Sequence, residues 1–351
     1  MKLKKMLSIA LAFAMAVSLT ACGNSGSSNS SSTGSNDTSS SDPSPSGSGA
    51  TSTGITAPEG YPDGPITLMC AWAAGGGSDL LSRAVAADAK DYIGVQMNVT
   101  NRDGAGGTIG LAEAVDYAND GYNLVFTTSG VFSAQPLLRE VEYSIDDFDF
   151  ICGLSLEPLC IAVPASMGVT TLDEWIEKMN SEGTEAVVGT SGNAGSIPAF
   201  YADVLFPTLG LNSYNIINYG GSGEVIPAML GGEINCAYFH PHEAWPYVES
   251  GDFVVLAVST EERMEEFADF ATFKEQGIDH VAGITKGIIA PTGLDPEIRD
   301  YLEACIMKIA EEGPNTQTYI ESSHLPKNVT TGAEFKEAIL QQTEELAEIF
   351  G

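Results

Sequence analysis

Positive charge is scarce in this chain of 351 residues. Lys and Arg number 15 against 47 Asp and Glu, and the formal net charge is −32 at pH 7. Phosphate backbones are bound through Lys and Arg, so nucleic acid is a very poor partner. A basic patch on anionic lipid is excluded for the same reason. Histidine is also rare, with four residues: His240, His242, His280 and His324. No H-E-x-x-H occurs, and the Pro241 between His240 and His242 breaks any helical metal spacing, so no metal and no cofactor is implied. There is no G-K-[ST] for a phosphate loop, and G-x-G-x-x-G fails because Leu80 holds the third glycine position. G-x-S-x-G fails as well, since Asn193 follows Gly192. These gaps argue against an enzyme. Acid pairs such as Glu261-Glu262 and Glu265-Glu266 read as solvated surface. No C-x-x-C is present. Beyond Cys22 the cysteines are Cys70, Cys152, Cys160, Cys236 and Cys305, and an odd number cannot all pair. The apolar surroundings of the first four read as buried free thiols.

No apolar run reaches the roughly 20 residues that span a bilayer. The longest, Met6 to Leu19, follows Lys2, Lys4 and Lys5 and ends in Leu19-Thr20-Ala21-Cys22. Residues 1–21 thus read as a secretory signal. The ending resembles a bacterial lipobox, in which Cys22 is lipidated; the competing reading is an ordinary signal with an incidental Cys. Residues 22–57 are mostly Ser, Gly, Asn, Thr and Pro, unable to bury apolar surface, and read as a flexible tether. The expected location is extracytoplasmic, held to the membrane by the lipid alone. Losing the three signal lysines takes the charge from −32 to −35.

The remaining body suffices for two domains of ordinary size. Short apolar runs alternate with helical patterns. Strands are expected over Ile66–Trp72, Val95–Thr100, Asn123–Thr128, Ala186–Thr190, Tyr214–Tyr219, Ile234–Phe239, Phe253–Ser259 and Ile288–Ala290. Helices are expected over Ser78–Ile93, Thr108–Tyr117, Ser196–Phe206 and Gly223–Leu230. The first of these carries an apolar face of Leu80, Leu81, Ala84, Val85 and Ala87. Asp295–Phe350 reads as helical with a break near Leu325-Pro326. Such β-α-β units predict an α/β fold of mostly parallel sheets. Two lobes follow, one of residues 58–155 and 281–351, the other of 156–280.

Glycine and small hydroxyl residues crowd the strand ends. Ala71-Trp72-Ala73-Ala74-Gly75-Gly76-Gly77-Ser78-Asp79 joins a strand to a helix, placing backbone N–H groups at a helix N-terminus, which suits an anion. Alone it is weak evidence, because a tight turn needs no ligand. Thr127-Thr128-Ser129-Gly130, Thr190-Ser191-Gly192-Asn193 and Tyr219-Gly220-Gly221-Ser222-Gly223 repeat the pattern. Four such ends would line one crevice with donors.

The motifs come in a recognisable order. Gly64-Pro65-Ile66-Thr67-Leu68 precedes the glycine loop. Asn101-Arg102-Asp103-Gly104-Ala105-Gly106-Gly107, Asp120-Gly121-Tyr122, Gly189-Thr190-Ser191-Gly192 and Tyr219 to Glu224 follow. Leu230-Gly231-Gly232-Glu233-Ile234-Asn235 and Ala290-Pro291-Thr292-Gly293 close the set. From Tyr61 to Gly351 the chain resembles the substrate-binding receptors of tripartite tricarboxylate transporters, the Bug or TctC-like family. The resemblance implies a two-lobed type II periplasmic-binding-protein fold that closes on a small carboxylate. It implies a clamp at Ala74, Gly75, Gly76, Gly77, Ser78 and Asp79, with Asp79 fixing the loop, and an opposing clamp at Thr190, Ser191 and Gly192. Thr128, Ser129 and Tyr219 would complete the wall. Gly220 and Phe239 would sit near the variable end of the ligand. Departures from the family pattern fall at Trp72, Asp103, Gly220 and His240-Pro241-His242. The shortage of Lys and Arg near the loops disfavours a trianion. The implied partners are a large and a small integral membrane subunit, with the receptor itself a monomer. The alternative is a ligand sensor or surface-interaction lipoprotein without a transport role.

Overall fold

The computed structural model describes residues 54–192 and 195–350. The signal segment, Cys22, most of the tether and Asn193 lie outside the described residues. The body begins with β1 (Ile66–Cys70), α1 (Gly77–Ile93), β2 (Met97–Asn101), α2 (Thr108–Ala114) and β3 (Asn123–Thr128). Two single turns follow, α3 (Gly130–Ser133) and α4 (Gln135–Leu138), then β4 (Phe148–Pro158) and β5 (Cys160–Pro164). The middle holds α5 (Leu172–Glu182), β6 (Ala186–Ser191), α6 (Ile197–Leu205), β7 (Tyr214–Tyr219) and α7 (Ser222–Leu230). After it come β8 (Cys236–Phe239), α8 (Pro241–Glu249), β9 (Phe253–Val258) and β10 (Gly283–Pro291). The chain closes with α9 (Pro296–Glu312), α10 (Pro314–Ser323), β11 (Lys327–Thr331) and α11 (Gly332–Phe350).

The strands form two sheets, ordered β11-β4-β10-β3-β1-β2 and β7-β6-β8-β5-β9. Each sheet with its helices makes one lobe. Four pairs are parallel: β1 with β2 and β3, β6 with β7 and β8. The remaining pairs are antiparallel, so the sheets are mixed rather than mostly parallel. The reason is the path of the chain. It leaves the first lobe along the 11-residue β4 and returns along β10, so the two strands lie side by side in opposite directions, from Gly283 opposite Pro158 to Pro291 opposite Phe148. Strand pairing this distant leaves no local periodicity.

Helix α1 shows where the pattern and the packing part. Its buried apolar stripe is Leu81, Val85, Ala89 and Ile93, at i, i+4, i+8 and i+12, whereas Leu80 is 44% exposed. The stripe packs on Ile66, Leu68 and Cys70 of β1 and on Leu302, Ile306 and Ile309 of α9. Asp88, buried on the same helix, accepts the amides of Asn315 (3.2 Å) and Thr316 (2.9 Å) and so caps α10. The tail is not one helical stretch. Gly313-Pro314 separates α9 from α10, and β11 adds an edge strand to β4. The last helix then seats Phe335 and Ile339 in the first lobe and Leu346 in the core of the second. Its approach requires Gly287: a Cβ there would lie 2.3 Å from the Cys152 carbonyl and 2.4 Å from the Phe335 ring. All five described cysteines are free and buried.

Candidate functional site

A cavity of about 550 Å³ opens between the lobes. The first-lobe wall contains Gly75, Gly76, Gly77 and Ser78. The second-lobe wall contains Ser191, Gly192 and Gly220 to Gly223. Two helices therefore begin at this space from opposite sides. Gly76 precedes α1 and Gly221 precedes α7, and neither N-terminus has a side-chain cap. The first-turn N–H groups of an α-helix have no partner within the helix, and the dipole makes each end partly positive. Both ends are thus left to an outside acceptor.

The glycine loop is held from behind. Asp79, 2% exposed, accepts the Gly75 amide (2.8 Å) and Arg83 Nε (2.9 Å) on Oδ2, and Asn101 Nδ2 (2.8 Å) on Oδ1. Burial pushes the Asp79 carboxyl up, but its hydrogen bonds from Arg83, Gly75 and Asn101 outweigh this and hold it below the usual range. Asp79 and Arg83 stabilise the turn and do not line the cavity. Gly75, at φ +84, makes the bend in a region that favours glycine. The structure keeps Gly75, Gly76, Gly77, Ser78, Thr128, Ser191, Gly192 and Gly220 at the cavity.

Other expected site residues sit elsewhere. Ala74 is exposed beside the loop. Thr190 is fully buried and donates to Asn218 Oδ1 (2.6 Å). Ser129 ties β3 to β10, donating its amide to the Thr285 carbonyl (2.9 Å) and accepting the Thr285 amide (3.3 Å). The Tyr219 hydroxyl turns to Glu233 (3.3 Å). Phe239 is fully buried among Val225, Ala237 and Val258 of the second-lobe core, so it cannot meet a ligand end. The alternation of β8 places Tyr238 and Phe239 on opposite faces, and both faces are covered by helices.

The cavity also holds an ion pair that loop motifs do not reveal. Lys286 Nζ lies 2.5 Å from Glu157 Oε1, with side chains 11% and 2% exposed. Lys286 reaches the first glycine loop: its Nζ is 3.8 Å from the point where a Cβ on Gly77 would stand. Burial alone would raise the Glu157 carboxyl. The attraction of Lys286, then His242 and His240, reverses this and holds it at about 2. His240 Nδ1 is 2.9 Å from the Pro158 carbonyl, and its ring stacks on His242 at 5.5 Å. Glu243 accepts Ser222 Oγ (2.7 Å). Burial lowers the His242 pKa. Ser191 Oγ and His242 Nδ1 are buried without a protein partner. The legible signal for the pair was its isolation: Glu157 is the lone acid of Leu154-Ser155-Leu156-Glu157-Pro158-Leu159-Cys160, and Lys286 the lone cation of Gly283 to Pro291.

The two-lobed fold and interlobe cavity define a solute-binding protein. The family model described as "Tripartite tricarboxylate transporter family receptor" matches residues 81–346, and the chain belongs to that family. It is 29% identical over 257 residues to a UPF0065 protein of Cupriavidus necator, covering 73% of this chain and 77% of that one. It is 28% identical over 254 residues to protein BugT of Bordetella pertussis, covering 70% and 77%. Among solved structures, a TctC solute-binding protein from Polaromonas matches with TM-score 0.70 and 27% identity, covering 82% of this chain and 97% of that one.

Proposed function

We propose that this protein is an extracytoplasmic receptor that closes on a small carboxylate and presents it to a tripartite tricarboxylate-type membrane transporter. The observation that carries the reading is the meeting of two uncapped helix N-termini, α1 and α7, from opposite lobes in one cavity. Each lobe offers half the donors, so the ligand gains most from the closed form and shifts the population toward it. Closure would pivot on the crossings near Pro158–Cys160 and Ala282–Gly283 and on the end of α11, whose Leu346 packs in the second lobe. Two solved neighbours fit this reading: MatC of Rhodopseudomonas palustris with bound malate, at 19% identity and TM-score 0.69, and R. palustris Rpa4515 with adipate, at 20% and 0.71. Their identities are those of a shared fold, and the ligand class comes to this chain by proposal. The lipid on Cys22 and the large and small membrane subunits belong to the same proposal, and no catalytic step is part of it. A receptor that signals ligand occupancy without transport is the second reading.

The test is a thermal-shift screen of residues 54–351 against carboxylates. A ligand at a hundredfold excess over Kd adds about 2.7 kcal/mol of stability. Gly76→Val is its control. Gly76 has an ordinary φ of −79, and a Cβ there would meet only the Ala73 carbonyl at 3.5 Å, so the fold tolerates the side chain. The shift should vanish in that variant while its own melting temperature holds. No shift with any carboxylate, from protein freed of co-purified ligand, would overturn the reading.

A further inference from the structure

We infer that the ligand is an α-amino acid, whose ammonium group is received by Glu157; this rests on the carboxylate reading above. A cavity built for anions alone gains nothing from a buried, ionised carboxylate in its wall. Glu157 is such a group, and it is placed beside the first clamp. Lys286 links the two, with Nζ 2.5 Å from Glu157 Oε1 and close to Gly77 at the start of α1. A carboxylate accepting from the first turn of α1 comes within reach of the remaining N–H donors of Lys286. The substituent on its α-carbon then lies toward Glu157. Glu157 accepts from Lys286 and from Ser155 Oγ (3.3 Å) on Oε1, and its carboxylate lines the cavity.

The charges decide between substituents. A plain carboxylate would leave two anions sharing one ammonium in a desolvated space, and like charges held close are unfavourable. An α-ammonium completes an alternating set: Lys286, ligand carboxylate, ligand ammonium, Glu157. A hydroxyl would supply a donor without the charge, and hydrogen bonds with ionised partners are about twice as strong as neutral ones. Glu243, across the cleft, adds a second negative group and is already engaged by Ser222. Glu157 is thus a specificity-determining residue, and Lys286 the positioning group between it and the clamp.

The experiment is calorimetric titration with matched pairs: aspartate and succinate, glutamate and glutarate, leucine and 4-methylpentanoate, phenylalanine and 3-phenylpropionate. The α-hydroxy counterparts malate, 2-hydroxyglutarate, 2-hydroxy-4-methylpentanoate and 3-phenyllactate complete the set. For the side chain that binds, the amino acid is expected to bind at least about tenfold tighter than both counterparts. In Glu157→Gln that preference should fall to about one, with the affinity of the plain acid held or raised. These readings need no variant in the first instance, so a misfolded substitution does not remove the test. A des-amino or hydroxy acid that binds wild-type protein as tightly as its amino counterpart overturns the inference and leaves the carboxylate reading standing. Loss of all three alike in a folded Glu157→Gln protein also overturns it. Failure of every acid to bind overturns the carboxylate reading instead.

Discussion

Replacing Lys286 with methionine removes the ammonium 2.5 Å from Glu157 and leaves that carboxylate, 2% exposed, without its counter-ion. Breaking a buried pair from one side costs about 3–5 kcal/mol, because the remaining charge stays desolvated. The titration of Glu157 gives the direction with pH. Its carboxyl is held at about 2 against an ordinary 4.5, the attraction of Lys286, then His242 and His240, overcoming the effect of burial. The sign follows from the depressed value. The contribution is present in full above 4.5 and is lost as pH falls toward 2. Lys286→Met should therefore be about 3 kcal/mol less stable than wild type at pH 7. For a body of about 300 residues that corresponds to a melting temperature about 6 °C lower. The gap should narrow as pH falls below 4.5, where the wild type loses the pair's contribution and Glu157 in the variant takes up a proton. Urea denaturation of both proteins at pH 7, 5 and 3.5 measures it. The double variant Lys286→Met, Glu157→Leu should recover most of the loss, since a buried pair is replaced by apolar groups at little cost. A loss below about 1 kcal/mol at pH 7, or a gap that stays constant with pH, would refute the buried-pair reasoning.

Three further outcomes are expected. His280, 6% exposed and 2.6 Å from the Tyr238 hydroxyl, has its pKa lowered by burial to about 4. Below 6.5 the unfolded chain binds the proton and the folded chain does not, so stability is lost as pH falls from 6.5 toward 4, by up to about 3 kcal/mol; His280→Phe should flatten this part of the profile, and parallel profiles would refute the assignment. Ser191→Ala removes a buried hydroxyl with no protein partner, so folding stability should hold within about 0.5 kcal/mol while ligand affinity falls about tenfold; equal affinity would remove Ser191 from the site. A body of net charge near −35 repels an anion at long range, and physiological salt screens that repulsion beyond roughly 8 Å, so stopped-flow association rates for a dianionic ligand should rise with salt, and a clear fall would contradict the repulsion.

Much of the fold was legible because its evidence was local. The runs Asn123–Thr128 and Tyr214–Tyr219 are strands with the boundaries their composition predicts. The glycine turn between β1 and α1 announces itself, because few other residues allow such a bend. The order of the motifs pointed to the family across most of the chain, and the two lobes came with it. The family resemblance also carried the reading of Asp79 as fixing the loop, and its carboxylate accepts from Gly75, Arg83 and Asn101.

Tertiary structure decided the rest. Whether a strand is parallel depends on where a distant segment returns, and β4 meets β10 only after the second lobe has been built between them. Strand β11, short and half-buried at the sheet edge, is recruited by β4 and has no strong period of its own. Thr190, Phe239 and Tyr219 stand close in sequence to cleft residues, yet a period of two turns alternate strand residues to opposite faces. The sharpest case is Glu157 with Lys286. They are separated by the whole second lobe in sequence, and each is a lone charge in an apolar run. Composition could only call them anomalies. The antiparallel register of β4 and β10 brings them together at the mouth of α1. Charge complementarity across such a distance is a property of the folded surface, because no local rule couples a residue to a partner that topology alone supplies.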